Sequence, residues 1–154
     1  MSTFQIREDD LTGPAVIALL EQHLAEMNTH TPAESVHALD VDRLKAPGVT
    51  FWSVWAGNSV AGCGALKELG PTHAEIKSMR TSDEFRGQGV GGVVVAHLLE
   101  ASRARGYHRV SLETGSNPPF APARRLYERH GFTYCPPFAD YTEDPWSVFM
   151  TLEL

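Results

Sequence analysis

The sequence predicts an α+β chain of three-layer α/β type, with a mixed sheet carrying helices on both faces. Three observations point there. Short alternating segments with tight turns occupy the first half, as in an antiparallel meander. A strand–helix–strand passage follows, as in a parallel crossover. Between them lies a glycine-rich turn, Arg86 to Gly92, at the start of a helical pattern.

The elements follow in order. Phe4 to Arg7 alternates as a short strand. Asp10 precedes a helix with Val16, Leu19, Leu20, His23, Leu24 and Met27 at helical spacing, with Pro14 in its first turn and Thr29 to Pro32 ending it. Glu34 to Lys45 is expected to be a second helix, stopped by Pro47-Gly48. Thr50 to Ala56 and Val60 to Leu69 form a hairpin around Gly57-Asn58. Ala74 to Thr81 is a strand whose odd step between Ile76 and Met79 suits a bulge. Gly89 to Arg105 is a helix with Val90, Val94, Leu98 and Ala101 on one face and Gly106 past its end. Arg109 to Glu113 is a strand, Ala121 to His130 a helix closed by Gly131, and Phe132 to Cys135 and Ser147 to Leu152 strands around a proline-rich loop. No linker divides the chain, so residues 1–154 are read as one domain.

Composition narrows the function. A formal net charge of −6 argues against non-specific nucleic-acid binding, which needs a basic face. No run approaches the roughly 20 apolar residues of a membrane span, and residues 1–10 lack the apolar stretch of a signal peptide. The chain is therefore read as soluble and cytoplasmic, a monomer or homodimer, with no nucleic-acid or membrane partner. The two cysteines, Cys63 and Cys135, form no disulfide framework, and no Cys/His cluster reads as a metal site.

The turn Arg86-Gly87-Gln88-Gly89-Val90-Gly91-Gly92 is the sharpest chemical signal. Glycines let backbone N–H groups approach phosphate oxygens, and the helix start adds unpaired donors and partial positive charge. Gly87, Gly89 and Gly92 also satisfy the dinucleotide pattern GxGxxG, with Glu113 about 20 residues on. Against that reading, the polar stretch Ser82 to Phe85 separates strand from glycines, and the turn comes late in the chain. No Lys follows as in a P-loop.

Read as Arg-x-x-Gly-x-Gly, the residues Arg86, Gly89 and Gly91 resemble the pyrophosphate motif of the GNAT superfamily of N-acetyltransferases. Leu126-Tyr127-Glu128-Arg129-His130-Gly131-Phe132 is similar to that family's LYxxxGF segment, and Glu75 to Thr81 stands where its acetyl-CoA-binding strand stands. Four segments, Ser35 to Asp40, Glu75 to Met79, Ser111 to Gly115 and Ser147 to Met150, resemble a subgroup of small bacterial members called YsnE-like.

The resemblance implies a mostly antiparallel sheet that splays between two parallel central strands, with acetyl-CoA as co-substrate and no metal. Met79, Arg80 and Thr81 are expected beside the pantetheine arm, and Arg86, Gly87, Gln88, Gly89, Val90, Gly91 and Gly92 around the pyrophosphate. Many relatives carry Asn seven residues before the tyrosine; here that position is Phe120, and Asn117 replaces it if the Pro118-Pro119 turn folds back.

The catalytic candidates are Glu75 as general base, eleven residues before Arg86 as in the histone-acetyltransferase branch, and Tyr127 as general acid to the coenzyme sulfur. The alternatives are a solvated strand carboxylate and a core tyrosine. Lys77, on the strand face of Glu75, Glu113 and His37 are the acceptor-binding candidates, each with a plain structural reading beside it. Glu113 competes with Glu75 for the role of base. Cys63 and Cys135 have no nearby base, favouring direct transfer over a covalent route.

The expected activity is transfer of an acetyl group from acetyl-CoA to a primary amine of a small molecule or amino acid. Acetylation of a protein or peptide amine, and a non-catalytic acyl-CoA sensor, stand as alternatives.

Overall fold

The computed structural model describes residues 3–37 and 39–154. Seven strands form one sheet: β1 (Gln5–Glu8), β2 (Val49–Ala56), β3 (Ser59–Gly70), β4 (His73–Thr81), β5 (Arg109–Gly115), β6 (Thr133–Cys135) and β7 (Ser147–Glu153), in the order β1-β2-β3-β4-β5-β7-β6. Among the described residues only β4 and β5 run parallel; the other neighbours are antiparallel. The helices are α1 (Pro14–His30), α2 (Val41–Leu44), α3 (Val90–Ala104) and α4 (Ala121–Arg129). The mixed three-layer sheet is the predicted one. Among the described residues no helix is long and apolar enough to cross a membrane.

Two cores hold the layers. On one face Val90, Val94, Leu98 and Leu99 of α3 and Tyr127 of α4 pack on Ile76, Val110, Leu112 and Met150. Burying each such side chain is worth roughly 1.5–3 kcal/mol, which holds a helix whose valines have modest intrinsic propensity. On the other face Val16, Leu19 and Leu20 of α1 and Leu44 of α2 pack on Phe51, Cys63 and Ala65. Strand parity sends Trp52 into the first core and Trp55 to the second.

One expected element is corrected. The stretch Glu34 to Lys45 is not a continuous helix: it holds a 3₁₀ turn at Ala33–Ser35 and the single turn α2. Val36 is extended, at φ −89° and ψ 118°. Asp40 starts α2 afresh, its carboxylate accepting from the Arg43 N–H at 2.9 Å. Ser, Asp and β-branched residues prefer caps and extended backbone to a helix interior. Ala38 lies outside the described residues. The helix after Asp10 begins at Pro14, with Gly13 as its N-cap.

The irregular step in β4 is a bulge. Lys77 pairs with Ala65 and Arg80 with Cys63, so β4 spends three residues where β3 spends two. Ser78 supplies the kink at φ +56°. The extra residue shifts side-chain parity: Ile76 and Met79, three apart, both meet the α3 core, while Arg80 turns toward α1.

Candidate active site

The bulge and the sheet order together open the site. The parallel ladder of β4 and β5 ends at Ile76↔Leu112. Beyond it β4 stays paired with β3, and β5 with β7. The two central strands therefore diverge, and residues from Lys77 of β4 and Glu113 of β5 onward face each other across a gap. A cleft of about 730 Å³, open to solvent, occupies this splay. His23, His37, Glu75, Lys77, Met79, Glu113, Phe120, Tyr127 and Ser147 are among the residues lining it.

Glu75 is not a solvated carboxylate. It is only 2% exposed. Its Oε2 accepts from Lys77 Nζ at 3.2 Å and from the Tyr141 hydroxyl at 2.5 Å. Lys77 Nζ also donates to the Tyr141 hydroxyl at 2.8 Å, closing a triangle. The salt bridge between Glu75 and Lys77, one of the two readings of Lys77, is thus present. A buried carboxylate needs such partners to remain ionised.

Glu113 has a matching arrangement on β5. Its Oε2 pairs with His37 Nδ1 and accepts from the Ser147 hydroxyl at 2.7 Å. This pairing brings His37 across from the segment between the 3₁₀ turn and α2. His30 does not line the cleft; its ring packs edge-on to Phe120 at 6.4 Å.

Tyr127 sits 5% exposed on α4, packed edge-on to Phe132 at 5.8 Å. Its hydroxyl makes no hydrogen bond among the described residues. Burial raises its pKa well above the usual tyrosine range, so it keeps its proton. A protonated, unpartnered hydroxyl in a cleft is a donor awaiting an acceptor.

The glycine turn stands at the start of α3. Gly87 and Gly89 have φ of +77° and +83°, and Gly89 is the N-cap in left-handed conformation. Space does not demand glycine at either position; backbone conformation does. At Gly91 a Cβ would lie 2.8 Å from Leu126 Cδ2, so that side chain packs close to the bare backbone. The amides of Gly87, Gly89, Val90, Gly91 and Gly92 make no hydrogen bond among the described residues. Arg86, more than half exposed, pairs with Asp83 at 2.7 Å and Glu26 at 3.4 Å. Arg80 is half-buried, turned toward α1 and paired with Glu26.

Asn117 does not line the cleft. Its Nδ2 donates to the His30 carbonyl at 2.9 Å, and Oδ1 is buried without a partner. Phe120 lines the cleft instead. Cys63 is fully buried and its thiol is pushed up to about 12, chiefly by burial; it faces the α1 core, away from the cleft. His130 caps α4, with Nδ1 3.0 Å from the Leu126 carbonyl.

Sequence reasoning missed one residue that lines the cleft, His23, and one that contacts a lining side chain from behind, Tyr141. His23 read as one more member of a helical stripe, yet it faces the splay, its pKa lowered to about 4 by burial and then by Arg80. Tyr141 lies in the proline-rich loop before β7, where no spacing rule applies. Its bonds to β4 span 66 and 64 positions, beyond any local pattern.

Comparison with known proteins accords with this geometry. The family model described as the acetyltransferase (GNAT) family matches residues 16–132. The chain is 56% identical over 149 residues to the uncharacterized N-acetyltransferase YsnE of Bacillus subtilis (strain 168), across 97% of this chain and 99% of that one. It is 50% identical over 151 residues to the uncharacterized N-acetyltransferase YedL of Escherichia coli (strain K12), across 98% and 95%. Among solved structures, a Bacillus subtilis acetyltransferase in complex with CoA shares the fold at a TM-score of 0.73 and 19% identity, across 99% of each chain. Splayed central strands, a glycine turn with unpaired amides and these near-full-length likenesses converge: the chain belongs to the acetyltransferase (GNAT) family and is an acetyltransferase.

Proposed function

We propose that the protein transfers an acetyl group directly from acetyl-CoA to a primary amine of a small molecule or amino acid. The observation that carries this reading is the splay itself, with Glu75 and Glu113 on its two strands and Tyr127 lining the same cleft.

The chain offers what the co-substrate requires. Five unpaired amides at the start of α3 suit a pyrophosphate, with Arg86 beside them and Gln88 in the same turn. The edge of β4 over Met79, Arg80 and Thr81 has no strand partner on the β5 side, so its backbone is open to an extended amide arm.

In the reaction Glu75 takes a proton from the acceptor ammonium, directly or through one water. The freed amine attacks the thioester carbonyl carbon, the new C–N bond forms and the C–S bond breaks. Tyr127 gives its proton to the leaving sulfur. Glu113, with His37 and Ser147, and Lys77 line the acceptor end. Glu75 and Lys77 line the cleft as buried side chains, which favours a small acceptor able to reach them over a protein chain. The presence of both proton-handling side chains favours an enzyme over a sensor.

Calorimetry with acetyl-CoA tests the donor; absence of binding at millimolar concentration would sink it. A thiol-release screen over amines, amino acids and peptides tests the acceptor. Turnover with peptides alone would transfer the assignment to protein acetylation.

A further inference from the structure

We infer that Tyr141 is a positioning residue for Glu75: its hydroxyl clamps one carboxylate oxygen so that the other is presented to the cleft. This rests on the reading of Glu75 as the base.

The geometry is asymmetric. Oε2 of Glu75 accepts both the Tyr141 hydroxyl and Lys77 Nζ. Oε1 makes no hydrogen bond among the described residues, and it is not one of the sealed, unsatisfied polar atoms. A carboxylate held by one oxygen keeps its other lone pairs for an incoming proton. Tyr141 is itself fixed by a box of rings, with His37 and Phe138 each at 5.2 Å and Phe149 at 5.4 Å. Lys77 Nζ, 5.5 Å from the Tyr141 ring centroid, completes the enclosure.

The donor direction follows from the surroundings. Tyr141 loses solvent on burial and faces the negative charges of Glu75 and Glu113, so its pKa lies far above the ordinary value and the hydroxyl stays protonated. It therefore donates to Glu75 throughout the working range. The other charged or titratable groups around this carboxylate are Lys77 and His73 on β4, with Glu113 and His37 across the splay. Of these, Lys77 donates to the carboxylate.

Loss of the hydroxyl leaves the carboxylate held by Lys77 alone and raises its proton affinity. A hydrogen bond to a charged group corresponds to a shift of about one to two pH units. The test is kcat/KM against pH for the native enzyme, Tyr141→Phe and Glu75→Gln, with acetyl-CoA titration as the control for folding. In Tyr141→Phe the acid limb should move up by about one pH unit or more, with acetyl-CoA affinity retained. Glu75→Gln should abolish the limb. If Glu75→Gln abolishes it and Tyr141→Phe leaves it in place, the inference is overturned and the base assignment stands. If Glu75→Gln leaves the limb unchanged, the base lies elsewhere and both fail. Should Tyr141→Phe not bind acetyl-CoA, Phe138→Leu loosens the ring box while keeping the hydroxyl. A smaller upward shift is then expected, and an unmoved limb overturns the inference.

Discussion

Replacing Tyr127 with Phe removes one oxygen and leaves the ring. The ring's contact with Phe132 at 5.8 Å survives. The lost hydroxyl has no hydrogen-bond partner among the described residues. No partner is stranded, so stability should stay within about 0.5 kcal/mol of native. The rate should respond very differently. A positioned general acid is worth about 10²–10⁴ in rate, or roughly 2.7–5.5 kcal/mol of barrier. The loss should fall on kcat, with little change in the affinity for acetyl-CoA. The sign of the pH effect follows from the raised pKa. The native state holds this proton above the ordinary tyrosine value of about 10, where the unfolded chain releases it. Tyr127 therefore adds no alkaline loss of activity below that value. Its contribution to stability falls as pH rises past it. Thiol release at saturating acetyl-CoA, with thermal unfolding on the same samples, decides the matter. A kcat within about threefold of native, under about 1 kcal/mol of barrier, would refute the acid role.

Three further outcomes follow. Gly89→Ala places a side chain at φ +83° with open space around it, so only backbone strain is felt, about 1–2 kcal/mol. The melting temperature should fall by about 2–8 °C and acetyl-CoA should bind more weakly, because the amides that follow lose their alignment; unchanged calorimetric affinity would contradict the phosphate-cradle reading. Gly115→Ala sets a Cβ 2.2 Å from Phe120 Cδ2, so the ring must shift and the cleft wall it forms shifts with it. Overpacking of this kind costs about 1–3 kcal/mol, and KM should rise; native-like KM and melting temperature would show that the ring yields freely. His23 has a folded pKa of about 4, below the ordinary histidine value of 6.5, chiefly because it is buried. The unfolded state binds more protons in that window, so stability present above pH 6.5 is lost progressively toward pH 4. His23→Gln should remove on the order of 3 kcal/mol of this acid-side loss, seen as a flatter denaturant midpoint against pH; equal slopes would refute it.

What was legible in the sequence and what was not divide along a physical line. Turn chemistry is local, so Gly89, Gly106 and Gly131 stand where the chain needs positive φ. The bulge was legible because Ile76 and Met79 break a period of two. The second helix was misread because Glu34 to Lys45 mixes helical spacing with Val36 and Asp40, whose local preferences won. Glu75 and Lys77 were seen as neighbours on one strand face, but the closing residue of their triangle, Tyr141, comes from a distant loop. His23 was hidden because a helical stripe does not distinguish the side chain over the core from the one over the gap.

Strand alternation also carries a lesson about where sites form. Ala74-Glu75-Ile76-Lys77 reads as a strand with one face in the core and one in water. Yet β4 is the central strand of seven, with β3 on one side and β5 on the other. The same parity runs through β5, where Val110 and Leu112 enter the α3 core while Ser111 and Glu113 point away, and through β7, with Met150 inward and Thr151 away. Helix α1 covers this second face over β2 and β3 with leucine. Over β4, β5 and β7 it is covered by Phe138 and Tyr141 of the loop, and its polar side chains must satisfy one another. They do so in groups: Glu75 with Lys77 and Tyr141, Glu113 with His37 and Ser147, and Ser111 with His73 at 2.7 Å and Thr151 at 2.9 Å. A buried polar face is costly unless paired, and here it lies where the parallel ladder ends and the strands part. Alternating charge on a strand that the crossover topology places at the centre is thus a sign of a site, because water cannot be the partner that the alternation implies.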